Sequence, residues 1–312
     1  MTDAKNAAGH ARTFWKVFKT LIPADIAAEA GRPVSVALVG TVAARADAAR
    51  RIFGNAPADK PRPLLRGYET VGEEHGFPQA ARTFDIVIDA GGGRAGACVA
   101  VPGLYSVEEI GGWEPTVERI LDEHPDLRLA LARRYPGLRP AVSRRVIQET
   151  AVANAEFAVL NALPGVIPLL GLLLPTSAIG DMLLLAKNQA MMMLKLAAAH
   201  ELPLDMQSRA ADLAPLAGSA FGWRGIAREV VGLVPGGIGM AAKGAVAYAG
   251  TVALGESMRR YYALGHVPTG REMNMLFREA WSNARMVTGR VLRRLPARRP
   301  RRKAIPPADP DA

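Results

Sequence analysis

The stretch Asn154–Ala199 constrains this chain more than any other. It reads NAEFAVLNALPGVIPLLGLLLPTSAIGDMLLLAKNQAMMMLKLAAA, and no charged residue stands between Phe157 and Gly180. A continuous helix of that length would be long enough to cross a bilayer. Pro164, Pro168 and Pro175 interrupt it, and each removes a backbone donor and clashes with the preceding turn. The pattern predicts a helix, a proline-rich apolar tip and a second helix.

The rest of the composition sets the frame. With 312 residues, 49% of them hydrophobic and 22% charged, the chain has room for two modest domains and ample material for a core. Global disorder is excluded. The net charge is +10, concentrated in Arg290, Arg293, Arg294, Arg298, Arg299, Arg301, Arg302 and Lys303, with no acid among them. The body is only mildly basic, which argues against a broad nucleic-acid-binding face. Cys98 is the lone cysteine, so no disulfide framework is expected and a reducing compartment fits. The opening MTDAKNAAGHAR lacks the apolar core of a secretory signal. The expected location is the cytoplasm or the cytoplasmic face of a membrane.

Along the chain, RTFWKVFKTLI (residues 12–22) has the spacing of a short amphipathic helix ending at Pro23. It can lie in a lipid interface or pack on the protein. The β-branched run VSVALV (34–39) predicts a buried strand, and ARADAARRIF (44–53) a helix. Residues 55–67, with Pro57, Pro61 and Pro63, read as loop. FDIVID (84–89) and ACVAV (97–101) are further strand candidates, and helical patterns follow at 114–123 and 126–134. This alternation predicts a small α/β domain with a partly parallel sheet.

YPGLRP (135–140) reads as a boundary, after which strand signals stop. Helices are expected at 142–163 and 177–199. On the second, Asp181, Asn188 and Lys195 recur every seven residues as a polar stripe, with Lys187 beside it, opposite Met182, Leu185, Met192 and Leu196. Those charges suit a solvated bundle rather than a lipid-immersed span. Helical patterns continue at 206–221 and 223–234. A second tip, GLVPGGIGM (232–240), echoes ALPGVIPLL (162–170). Ala241, Ala245, Ala249 and Ala253 form a small-residue ridge that admits another helix closely. A last helix is expected from Gly270 to Arg294, then a disordered basic tail. The predicted divisions are a lead-in helix at 1–30, an α/β domain at 31–138, an all-α hydrophobic helical bundle at 139–290 and the tail at 291–312.

Two sets of residues carry a resemblance. RTFWKVFKTLIPADIAAEAGRPVSVALVG resembles the lead-in of bacterial proteins with degenerate GTPase-like domains. RRVIQETAVANAEFAVLNALPGVIP, DMLLLAKNQAMMMLKLAAAH, VVGLVPGGIG and GTVALGESMRRYYALGH resemble the YcjF-type hydrophobic helical domain, across residues 140–268. The resemblance implies membrane association and a preceding P-loop GTPase-like domain. It supplies no catalytic residues.

A P-loop needs a strand, a glycine-rich loop and then Lys and Ser/Thr at a helix start. Counting from Gly40, the positions for Gly, Lys and Ser/Thr hold Arg45, Ala46 and Asp47. Asp47 would place negative charge where a phosphate belongs. Asp89 and Gly92 match an Asp-x-x-Gly metal-proximal loop, but no Asn-Lys-x-Asp base-reading motif follows. Gly40, Asp89 and Gly92 are therefore the candidate nucleotide-binding residues of a degenerate P-loop-like domain, and no bound cofactor is expected. GTP or ATP with Mg²⁺ is the alternative. His10, His75, His124, His200 and His266 are scattered without metal-ligand spacing. Glu73-Glu74-His75 and Asp122-Glu123-His124 read as solvated surface, and two of Met191, Met192 and Met193 as core. No nucleophile elbow is present.

The resulting expectation is a non-catalytic, membrane-peripheral interaction or scaffold protein. Its partners would be an anionic membrane surface and a protein, or itself, through the helical domain. The tail lacks interleaved aromatics, so sequence-specific nucleic-acid reading is not expected. The alternatives are a divergent GTP/ATP-binding protein coupled to a membrane-associated helical domain, and a soluble oligomeric bundle.

Overall fold

The computed structural model describes residues 23–54, 65–68, 83–91, 103–162, 177–204, 239–266 and 269–294. The lead-in segment 12–22, the strand candidate 97–101, the helical patterns at 206–234, both apolar tips up to Ile238 and the tail beyond Arg294 lie outside them.

Helix α1 spans Pro23–Gly31. Proline's missing donor and preset φ suit a first helical position. Ile26 and Ala30, one turn apart, are the buried face. Then come β1 (Val36–Val39), α2 (Val42–Phe53), β2 (Leu65–Tyr68), β3 (Ile86–Asp89) and β4 (Leu104–Ser106). The four strands form one sheet in the order β2-β1-β3-β4, and every pairing is parallel. Val36 stands opposite Leu65 on one side and Ile86 on the other. β1 and β3 are buried along their whole length, as β-branched runs without polar alternation require.

Two strands correct the sequence reading. β2 takes residues 65–67 out of the expected loop; the prolines precede it, and parallel pairing to β1 outweighs Gly67. The described edge strand beside β3 is β4. Its Tyr105 is 2% exposed, a single buried aromatic too brief to register as a pattern.

Short α3 (Val107–Ile110), α4 (Trp113–Glu123) and α5 (Arg128–Arg134) lead into a 3-10 turn, Pro136–Leu138. That turn passes directly into α6 (Arg139–Leu160). The segment 135–140 is a packed junction. Tyr135 is fully buried, lies 6.0 Å from the Phe53 ring and donates its hydroxyl to Val34 O. Arg139 donates to Ala132 O and Arg133 O and pairs with Glu201. One buried cluster runs from Val36 and Ile86 through Leu131 and Val142 to Met192 and Leu254, so the core is continuous across this junction.

The remaining described helices are α7 (Ser177–Ala199), α8 (Gly239–Leu264) and α9 (Gly270–Arg294). Cross-helix contacts fix their directions. Asn154 donates to Thr251 Oγ1 at 2.9 Å, and Asn188 donates to Asn154 Oδ1 at 2.8 Å. Lower in the bundle, a side chain at Gly255 would meet Ile147 and Met192; higher up, one at Gly244 would meet Val159, Ala155 and Thr288. Therefore α7 and α8 run against α6, and α9 runs with it. Ala245, Ala249 and Ala253 are buried between α6, α8 and α9. The small-residue ridge is consumed inside the chain.

The stripe on α7 is also corrected. Asn188 faces inward to Asn154, which is 0% exposed, rather than marking a solvated face. Met192 and Met193 are core while Met191 is half-buried. At the start of α9, Thr269 and Glu272 cap each other, a reciprocal capping box. Arg290, Arg293 and Arg294 belong to the last turns of α9, not to a tail.

Gly137 is the tightest point of the junction. A Cβ there would sit 1.8 Å from Arg51 O and 2.7 Å from Ile52 O, backbone atoms at the end of α2. Gly137→Ala is expected to cost about 3 kcal/mol in urea unfolding. Gly31→Ala, at a glycine with open space around it, is the control expected to unfold as wild type.

Candidate functional site

In open parallel sheets, ligands sit beyond the carboxyl ends of the strands where the strand order reverses. Here that point lies between β1 and β3, the place to which the sequence assigns Gly40 and Asp89. Only Gly40 and Thr41 separate β1 from α2. Thr41 caps the helix, its hydroxyl accepting from Ala44 N, while Thr41 N donates to Gly91 O at 3.3 Å. Gly40 has φ +126°, and a Cβ on it would lie 2.5 Å from Gly91 O. Across the gap, Ala90 N donates to Val39 O and Gly91 N to Asp89 Oδ1. The two strand-end turns are thus laced together.

The structure brings Gly40 and Asp89 to the same edge; Gly92 lies outside the described residues. A phosphate cradle asks for a wide loop with amides turned inward. Among the described residues the loop is two residues long and the Gly91 carbonyl lies against it. Arg45, Ala46 and Asp47 are within α2, and Asp47 pairs outward with Arg50 and Arg51. Those arginines hold its carboxyl below the usual range. Asp89 is 2% exposed, and its Oδ2 is buried without a hydrogen-bond partner among the described residues. Glu108 stands at the same edge, its Oε1 2.8 Å from where a Gly91 Cβ would be. The edge is acidic and closely packed. The described residues do not assemble a binding geometry for a triphosphate.

The other candidate clusters resolve as follows. Tyr105, which sequence reasoning missed, donates its hydroxyl to Glu123 Oε2 at 2.8 Å, and His124 Nε2 lies 2.8 Å from the Tyr105 hydroxyl oxygen. Burial and Glu123 push the tyrosine pKa up; Arg119 and the Tyr105 hydroxyl pull Glu123 down. Asp122 pairs with Arg145. Asp122 and Glu123 are exposed, in keeping with the surface reading, while Glu123 and the half-buried His124 also join α4 to β4 through the Tyr105 hydroxyl. The signal for that joint was the tyrosine in the middle of the short strand. His266 contacts Glu272 at 3.1 Å. His10 and His75 lie outside the described residues. Among the described residues, no three His, Cys, Asp or Glu side chains group to hold a metal.

Comparison with protein-family models, curated proteins and solved structures finds no match to this chain.

His200, at the end of α7, has a testable titration. Burial, with Arg139 and Arg259 nearby, lowers its pKa from 6.5 to about 4. A depressed folded-state value leaves stability intact above the unfolded pKa, and stability falls as pH drops from about 6.5 towards 4. Allowing for partial solvent access, the loss is about 2 kcal/mol. In urea unfolding, wild type is expected to lose about 2 kcal/mol more stability between pH 7 and pH 4 than His200→Leu does. Parallel pH dependences would remove the assignment.

Proposed function

We propose that this protein is a non-catalytic scaffold that docks peripherally on an anionic membrane surface, on the cytoplasmic face, through one end of its helical bundle. One observation carries the reading. The C-termini of α6 and α9 and the N-termini of α7 and α8 lie at the same end, as the contacts of Asn154, Asn188, Gly244 and Thr288 require. Residues 163–176, the segment ending at Ile238 and the basic chain after Arg294 all join the bundle there. The two apolar, proline-bearing tips and most of the excess positive charge are thus attached to a single end. The α/β part packs at the opposite end, where α7 reaches α1 and α5.

The chemistry of that end suits a lipid interface. Leu160 is 41% and Leu184 39% exposed, next to an uncharged connection of leucines, isoleucine and prolines. Arginines after α9 add attraction of about 1 kcal/mol each near an anionic surface. No described helix is long and apolar enough to cross a membrane, which is compatible with shallow docking. The resemblance to the YcjF-type helical domain implies the same association. The α/β part is then a degenerate P-loop-like domain that keeps the parallel sheet and has lost the phosphate site.

Flotation with vesicles tests the docking. The full chain is expected to float with anionic vesicles and to stay at the bottom with zwitterionic ones. Ending the chain after Arg294 preserves α9, whose Thr288 and Val291 are buried, and is expected to weaken flotation at low salt. Leu170→Glu with Leu173→Glu is expected to abolish it. A full chain that never floats removes the proposal. Calorimetry with GTP and ATP, with and without Mg²⁺, is expected to show no binding heat. A heat that disappears in Asp89→Ala would favour a working nucleotide site instead.

A further inference from the structure

A groove of about 420 Å³ opens on the side of the bundle between α6, α8 and α9, within the size range of small-molecule sites. Its floor is apolar, made by Ile147, Val252, Leu276 and Ala280. Its walls carry three guanidiniums, Arg144, Arg259 and Arg260, against two carboxylates, Glu256 and Glu279.

The pairing within the groove is uneven. Arg259 takes both oxygens of Glu256, at 2.9 and 2.5 Å. Arg260 reaches that same carboxylate only at 3.8 Å. Among the described residues, Arg144 pairs with Glu118 at 3.9 Å. These are contacts at the outer limit of an ion pair, without a hydrogen bond. Two helices therefore bring two incompletely matched guanidiniums to one apolar-floored cleft. Gln148, whose Oε1 accepts from Tyr248, keeps its amide hydrogens, and Asn283 adds a second amide.

We infer that this groove binds a small organic oxyanion, a carboxylate or phosphate carrying an apolar ring or short chain. Arg144 and Arg260 hold the oxyanion through charge-assisted hydrogen bonds. The amides of Gln148 and Asn283 flank it, and the apolar body rests on Ile147, Val252 and Leu276. An inorganic anion would use only half of the site, and a neutral apolar molecule only the other half. The groove does not depend on docking at the outer end of the bundle.

The probe is phenyl phosphate, titrated into the full chain without lipid and followed by calorimetry. Binding is expected on the order of 10⁻⁴–10⁻³ M, at least about 10-fold tighter than inorganic phosphate or phenol. Arg144→Gln with Arg260→Gln is expected to weaken it by about 10-fold or more. The thermal midpoint should be retained, since both side chains are well exposed, at 62% and 42%. Absence of binding, equal affinity for inorganic phosphate, or unchanged binding by the double variant would overturn the inference. Competition by vesicles with anionic headgroups would assign the natural ligand to a lipid head; binding undisturbed by vesicles would assign it to a free anion.

Discussion

The close approach of α8 to α6 and α9 governs the rest of the molecule. Gly244 and Gly255 leave no room for a Cβ against α6, and Ala245, Ala249 and Ala253 present methyl groups where longer side chains would hold the helices apart. Helices that touch this closely gain dispersion contacts along their whole length. They also lose freedom to slide, because each glycine accepts one particular neighbour. Thr251 and Asn154 lock the same pair by a buried hydrogen bond, and Asn188 ties α7 to it. Leaving any of these amides unpaired in the core would be costly, so they select one alignment among several that apolar packing alone would permit.

The second constraint is the join between the sheet and the bundle. Helix α5, the turn at Gly137 and the start of α6 form an unbroken path, and Tyr135 and Arg139 spend their polar groups on neighbouring carbonyls. Burial pushes the tyrosine pKa up to about 12, with Arg134 opposing the rise and Asp85 adding to it, as expected for a phenol serving as a packing residue with a hydrogen-bonded tip. The sheet rests on helices that also belong to the bundle, and the buried cluster spans both. Motion of one part against the other would have to break core contacts rather than bend a linker.

Much of the element order was legible because its signals are local. VSVALV and FDIVID are continuous apolar runs, and α7 and α9 carry unmistakable lengths of helical pattern. What escaped depends on tertiary context. β2 is four residues with a glycine inside, and only the neighbouring strand makes it a strand. YPGLRP contains the usual punctuation of a loop, yet its glycine is there for close packing. Asn188 looked like part of a wet stripe because seven-residue spacing shows which residues share a face, not what the face meets. At the candidate site, the mismatch of Arg45, Ala46 and Asp47 with a phosphate motif was readable. The lacing of Thr41 to Gly91 was not, since it joins positions far apart in the chain.

The buried relay through Asn188, Asn154 and Thr251 has a mechanical corollary. Sliding α7 by one turn, about 5.4 Å, would take the Asn188 donor away from the buried Asn154 Oδ1. The two stems from which residues 163–176 depart are consequently held level with each other. Whatever that greasy connection touches, it is offered at a set height above the sheet, as by a strut of fixed length and not by a spring.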